Sequence, residues 1–153
     1  MVKTLIRQAI SADFKVLLKI DEASFSSEIA YDSAELSYFM NREGAETLVL
    51  EAEGEIAAFI IIEVNRKRRV ATLITLDVRA EHQRRGYATQ LLHRSEEILR
   101  DHGVRIYDLQ VDVANAGAIR FYKLQGFEMV RTLKNYYQNG QDAFLMVKDL
   151  NEN

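Results

Sequence analysis

One stretch, Leu73–Gln90 (LITLDVRAEHQRRGYATQ), constrains this chain more than any other. It opens with Leu73, Ile74, Leu76 and Val78 apolar and Thr75 β-branched, which predicts a strand. It runs on into Ala88, Leu91, Leu92, Ser95, Ile98 and Leu99, which recur at helical spacing. Between the two lies Gln83-Arg84-Arg85-Gly86-Tyr87-Ala88, a charged turn with a glycine where the helix begins. The first N–H groups of such a helix have no intrahelical acceptor and point the same way, and the aligned peptide dipoles add partial positive charge. That end of the helix suits a phosphate or pyrophosphate. Gly86 carries no Cβ, so an anion can come close to the backbone. Taken alone, the same residues also describe a surface turn with a solubilising arginine pair.

The rest of the chain alternates strands and helices around this stretch. Leu5–Ala9 reads as a short opening strand, and Ser11 as the N-cap of a helix with Phe14, Leu17, Leu18 and Asp21 in succession. Asp32-Ser33-Ala34-Glu35 offers a capping box, with Leu36, Phe39 and Met40 on one face of a second helix that ends near Gly44. Thr47–Ala52 and Ile56–Val64 flank Glu53-Gly54 as a hairpin. Asn65–Arg69 turns the chain into a strand over Val70–Arg79, and this basic run is a solvated turn or an attractor for an acidic partner. His102-Gly103 stops the central helix. Ile106–Val113 then alternates, with Tyr107, Leu109, Val111 and Val113 on one face and Asp108, Gln110 and Asp112 on the other. Asn115 caps a short helix holding Ala118, Ile119, Tyr122 and Leu124, closed by Gly126. Glu128–Tyr136 and Ala143–Lys148 form a last hairpin around Asn139-Gly140. The expected order is β-α-α-β-β-β-α-β-α-β-β.

Composition narrows the function classes. A chain of 153 residues suits one domain, 1–153, with one core. A net charge of -3 argues against a nucleic-acid binder. The longest apolar run, Ala57–Ile62, is far too short to span a bilayer, and Lys3 and Arg7 interrupt any leader-like segment. With no cysteine there is no disulfide and no cysteinyl acyl-enzyme, which fits a cytoplasmic protein. His82, His93 and His102 lack a metal-site arrangement, so no metal is expected.

The turn Gln83, Arg84, Arg85, Gly86, Tyr87, Ala88 resembles the pyrophosphate loop of the GNAT superfamily, Q/R-x-x-G-x-G/A, and the element order is that of the superfamily across the whole chain. A second element, N-x-x-A-x-x-x-Y-x-x-x-G-F, is present as Asn115, Ala118, Tyr122, Gly126 and Phe127. The resemblance implies an α/β (α+β) fold: a mixed, mostly antiparallel seven-stranded sheet with four helices, splayed between the fourth and fifth strands. It implies an acetyl-CoA-dependent N-acetyltransferase with a one-step transfer. Coenzyme A would be held by backbone near Leu76 and Val78, by Gln83, Arg84, Arg85, Gly86, Tyr87, Ala88 and Thr89, and by Asn115, Ala118 and Tyr122. Tyr122 would protonate the departing thiolate, since a phenol with a reference pKa of about 10 is protonated at neutral pH. Without the resemblance, Tyr122 reads equally as a core aromatic on an amphipathic helix.

The tail Asn135-Tyr136-Tyr137…Asp142-Ala143 resembles RimI-like enzymes, which acetylate protein N-terminal α-amines. That implies Tyr136 and Tyr137 as substrate contacts in the peptide entrance, with Phe25–Met40 as its other wall. The two tyrosines also suit plain hairpin decoration. RimI-like bacterial enzymes carry a glutamate base in the fifth strand, where this chain has Gln110. A carboxamide orients water or substrate but takes no proton, which leaves Asp112 and Asp77 as relay candidates. An α-amine still fits: about a tenth of α-amines are neutral at pH 7, against under about a thousandth of lysines. The alternatives are a small-molecule amine acetyltransferase and a silent acyl-CoA-binding module. The acceptor is expected to be a protein or peptide N-terminus or a small amine, and the enzyme a monomer or homodimer.

Overall fold

A strand apolar on both sides must be covered on both sides, and Ile56–Ile62 is buried at every position. The computed structural model describes residues 2–25 and 29–151. In it this strand belongs to β3 (Glu55–Asn65), inside a seven-stranded sheet ordered β1-β2-β3-β4-β5-β7-β6. The others are β1 (Thr4–Gln8), β2 (Ala45–Ala52), β4 (Val70–Val78), β5 (Ile106–Asp112), β6 (Glu128–Leu133) and β7 (Ala143–Asp149). Helices α1 (Phe14–Ser24) and α2 (Ser33–Asn41) cover one face, where Leu17, Ile20 and Leu36 pack on Val49, Phe59 and Ile61. The long α3 (Tyr87–Asp101) lies on the other, with Leu91, Leu92 and Leu99 among Leu50, Ile60, Ile62 and Tyr107. The short α4 (Ala116–Leu124) brings Tyr122 and Ala118 to the same cluster. The expected mixed sheet with four helices is thus present.

Five of the strand pairs are antiparallel, and β4–β5 alone is parallel, as the α3 crossover between them requires. That parallel ladder joins Val70–Leu73 to Ile106–Leu109 and then stops. Beyond it β4 continues on β3 and β5 continues on β7, so the two strands splay apart. The register on β3 also shifts, with Ile62 opposite Leu73 and Ile61 opposite Thr75, so Ile74 is an extra residue. The bulge inverts the alternation of β4. Ala71 and Leu73 face α3 before it; Leu76 and Val78 do so after it, while Thr75 and Asp77 turn toward α1.

Local chemistry moves several expected boundaries. Ser11 is not a helix N-cap: Ser11–Asp13 forms a 3-10 turn, because the Asp13 carboxylate accepts the Ile10 N–H at 2.8 Å and is held by Arg7 at 2.9 Å. The Arg7 bond keeps Asp13 below the usual carboxylate range. The capping box forms as expected, with Asp32 accepting from the Glu35 N–H at 2.8 Å and Glu35 accepting from the Asp32 N–H at 3.2 Å. Phe25–Met40 is not one helical stretch, since α1 ends at Ser24 and α2 begins at Ser33; Ser26, Ser27 and Glu28 lie outside the described residues. The final hairpin does turn tightly at Asn139-Gly140, where Gly140 donates its N–H to the Tyr137 carbonyl oxygen at 2.9 Å, but its first strand ends early. Strand β6 stops at Leu133 because Asn135 adopts a left-handed φ of 52° and gives its N–H to Asp142 at 2.9 Å.

Gly44 joins α2 to β2 at φ 85°, and a Cβ there would meet the Val64 carbonyl oxygen at 2.3 Å. Backbone strain and this clash act together, so Gly44→Ala should lower unfolding free energy by at least about 2 kcal/mol in a denaturant titration.

Candidate active site

The splay opens a cavity of about 920 Å³ that passes through the sheet. On the α1–α2 side its wall carries Asp21, Phe25, Tyr31, Glu35 and Phe39, with Gln110 and Asp112 from β5. On the α3–α4 side it meets Leu76, Val111, Asn115, Ala118 and Tyr122. The loop between β6 and β7 leans over the first opening with Tyr136, Tyr137 and Gln138. Gly140 donates to the Tyr137 oxygen at 2.9 Å and Tyr137 to the Gln141 oxygen at 3.1 Å, which curls this loop back. The two tyrosine rings meet edge to face at 5.0 Å, and burial pushes the Tyr137 hydroxyl up to about 12.

Tyr122 is 8% exposed, yet its ring borders the cavity between Phe121 and Phe127, at 5.3 and 5.7 Å. Burial, reinforced by Asp77, raises its pKa and keeps the hydroxyl protonated. The Asn115 carboxamide accepts the Ala118 N–H at 3.1 Å, so this residue shapes the start of α4.

The turn before α3 leaves a row of donors. Gly86 takes φ 82° with open space where a Cβ would sit, and the first helical bond runs from Gln90 N–H to the Gly86 oxygen. The N–H groups of Tyr87, Ala88 and Thr89 therefore precede the helical ladder. The edge of β4 behaves similarly. Arg79 donates to the Ala57 oxygen, so by antiparallel alternation Val78 and Leu76 turn their backbone groups to the splay. An amide-containing arm ending in a pyrophosphate fits this edge and turn.

Of the expected turn residues, Arg85 and Tyr87 do not offer side chains here. The Tyr87 ring is buried, and the Arg85 guanidinium faces Glu53 at 3.5 Å and His82 Nδ1 at 3.2 Å. Because Arg85 donates to Nδ1, His82 carries its proton on Nε2 and donates to Glu55 at 2.8 Å. That bond, with Arg79 nearby, holds the Glu55 carboxyl below its ordinary range. His82 thus clamps the turn to the β2–β3 hairpin.

Asp77 stands behind Thr75 instead of on the cavity wall. It is 2% exposed, and Thr75 donates to its Oδ1 at 2.6 Å. Its neighbour is Asp21 of α1, 1% exposed, which borders the cavity and accepts the Tyr31 N–H on Oδ2 at 2.8 Å. Burial and the Asp21 carboxyl push Asp77 well above the usual carboxylate range. Asp21 escaped the site reading, although an aspartate four residues after Leu17 on an apolar helix face was a visible signal.

The acetyltransferase (GNAT) family profile matches residues 4–127. The chain belongs to the GNAT acetyltransferase family. The enzyme is an N-acetyltransferase. It is 28% identical to an N-alpha-acetyltransferase of Sulfurisphaera tokodaii over 95% of this chain and 92% of that one. It is 35% identical to the ribosomal protein bS18-alanine N-acetyltransferase of Salmonella typhimurium over 76% of this chain and 80% of that one. The crystal structure of the ribosomal-protein-S18-alanine N-acetyltransferase of Escherichia coli superposes with a TM-score of 0.87 at 25% identity, covering 99% and 96% of the two chains.

The folded chain holds the Asp77 proton more tightly than the unfolded chain does. The stability it contributes is complete below the ordinary carboxylate pKa of about 3.9 and is lost as pH rises through the folded value. Asp77→Asn removes this liability and keeps an acceptor for Thr75. Its melting temperature should exceed that of the parent by several degrees near about pH 7.5, with the gap closing toward about pH 4.

Proposed function

We propose that this acetyltransferase, acting as one domain, moves the acetyl group of acetyl-CoA directly onto the N-terminal α-amine of a protein or peptide. The observation that carries this reading is the cavity itself. A tyrosine-rimmed opening on one face leads through the sheet to Tyr122 on the other, a path suited to the narrow end of an extended chain. Relatives named for N-alpha and bS18-alanine acetylation support the same acceptor. A setting in the cytoplasm fits, as no helix among the described residues is long and apolar enough to cross a membrane.

Each part of the chain has a share in the transfer. Acetyl-CoA supplies an acyl group activated as a thioester. The backbone of Leu76 and Val78 aligns the pantetheine arm, and the turn from Gln83 to Thr89 receives the pyrophosphate on its free N–H groups. Tyr136 and Tyr137 hold the incoming peptide end, and Asp112 lines its path. Gln110 orients the amine or a water without taking a proton. Tyr122, kept neutral by burial, gives its proton to the departing thiolate.

The test is coenzyme A release with two peptides, one with a free N-terminus and no lysine, the other N-blocked with an internal lysine. Turnover of the first alone is expected, and turnover of the second alone would sink the α-amine assignment. Turnover of neither, with activity on spermidine, would favour a small-amine acetyltransferase. Tyr122→Phe should lower kcat about a hundredfold with the fold intact by circular dichroism. Replacing both Tyr136 and Tyr137 by alanine should raise KM for the peptide about tenfold or more and leave KM for acetyl-CoA unchanged.

A further inference from the structure

Two carboxyls buried together without a cation are an expensive arrangement, and Asp21 and Asp77 are such a pair. Each has one oxygen satisfied, Asp21 Oδ2 by the Tyr31 N–H at 2.8 Å and Asp77 Oδ1 by the Thr75 hydroxyl at 2.6 Å. The other two oxygens, Asp21 Oδ1 and Asp77 Oδ2, are buried and have no donor among the described residues. The two side chains adjoin, so one proton between them satisfies both bare oxygens at once. The pair then carries a single negative charge beside the acceptor side of the cavity, where Asp21 forms part of the wall.

The surroundings offer nothing to neutralise that charge. Around the pair and along the same cavity stand Tyr31 before α2, Asp32 at its N-cap, Glu35 of α2, Asp112 of β5, Tyr122 of α4 and Tyr136 and Tyr137 of the β6–β7 loop. Strand β3 presents Phe59 and Ile61. No Lys, Arg or His among the described residues forms an ion pair with Asp21 or Asp77. The complement that is missing is a cation, and the acceptor arrives as an ammonium.

We propose that Asp21 and Asp77 act as one proton-holding unit that draws the acceptor ammonium in and takes its proton, the task that Gln110 cannot perform. This rests on the α-amine reading for its substrate. The ammonium gives one proton to the singly charged pair, through Asp21 at the wall, and the pair becomes two neutral carboxyls. The freed lone pair forms the N–C bond to the acetyl carbon, and the C–S bond breaks. The thiolate takes the Tyr122 proton, the second proton on nitrogen passes to the Tyr122 oxygen, and the pair later returns its extra proton to solvent. One proton is released per turnover. Asp77, behind the wall, is a positioning residue that shares its proton with Asp21.

Asp21→Asn and Asp77→Asn keep the hydrogen bonds from Tyr31 and Thr75, and each replaces one of the two carboxyls by an amide, so the pair can no longer hold a shared proton. The two variants should be assayed with the lysine-free peptide and with the same peptide bearing an N-terminal aminooxy group, which is already neutral at assay pH. Expected is a loss of about a hundredfold in kcat/KM on the amine peptide, a change within about threefold on the aminooxy peptide, and an unchanged KM for acetyl-CoA. The acid limb of the amine profile should shift in both variants. Equal loss on both acceptors would overturn the proposal in favour of a structural role, and retained activity on the amine peptide would overturn it outright. If the parent enzyme acetylates spermidine and neither peptide, the α-amine reading falls alone. The same variants then decide the matter on spermidine, loss supporting the unit and retention overturning it. Absence of turnover with any amine overturns both.

Discussion

The parallel ladder between β4 and β5 ends at Leu73 and Leu109, and the site depends on that ending. Buried backbone donors and acceptors demand partners, and a strand edge inside a protein is normally paired to its full length. Here β4 keeps β3 on one side and β5 keeps β7 on the other, so neither strand collapses into the gap. What the ladder leaves without a strand partner is a short run of backbone on β4, where the Gln83 carboxamide donates to the Val78 oxygen at 3.4 Å, and it continues into the bare N–H groups opening α3. One continuous edge, made almost without side chains, thus has the shape and donors that suit an extended arm and an anion together. The side chains that matter then collect at the two mouths of the opening.

Features set by neighbouring residues were legible in the sequence. The strand-turn-helix around Gly86, the capping box at Asp32, the Glu53-Gly54 hairpin with both residues at positive φ, and the alternation of β5 all follow from local rules, and all are present. Gln110, Asn115 and Tyr122 gather at the splay, since motif spacing on two short elements fixes where they stand, while the candidate turn residues 83–89 lie outside the cavity lining. What was not legible needs contact between distant segments. Asp21 and Asp77 meet only once α1 lies over β4, and the His82 bond to Glu55 needs the hairpin folded under the turn. The end of β6 was misplaced because Asp142, far along the chain, captures the Asn135 N–H.

Charge shows the same division between what folds the chain and what the site asks of it. Arg7 with Asp13, and His82 with Glu55, are acids given partners, and each carboxyl is held low. Asp77 is given another acid and is held high. A fold selected for stability alone would fill that place with an aliphatic side chain, since apolar replacement of buried charge is commonly neutral or stabilising. Among the described residues, the retained cost marks a region of the core where acids are left without a basic counterpart.

The extra residue at Ile74 gives β4 a change of phase in mid-strand. A regular strand would carry its first alternation to the end and place Thr75 and Asp77 on the side of α3, among Leu91 and Tyr122, with Leu76 and Val78 turned to α1. Deleting Ile74 would leave Thr75 and Asp77 facing α1 and Leu76 and Val78 facing α3, so the bulge lets the strand hold one residue more without exchanging its two faces. The acidic side and the apolar side of the far half of β4 are therefore assigned by a parity that a single peptide unit sets.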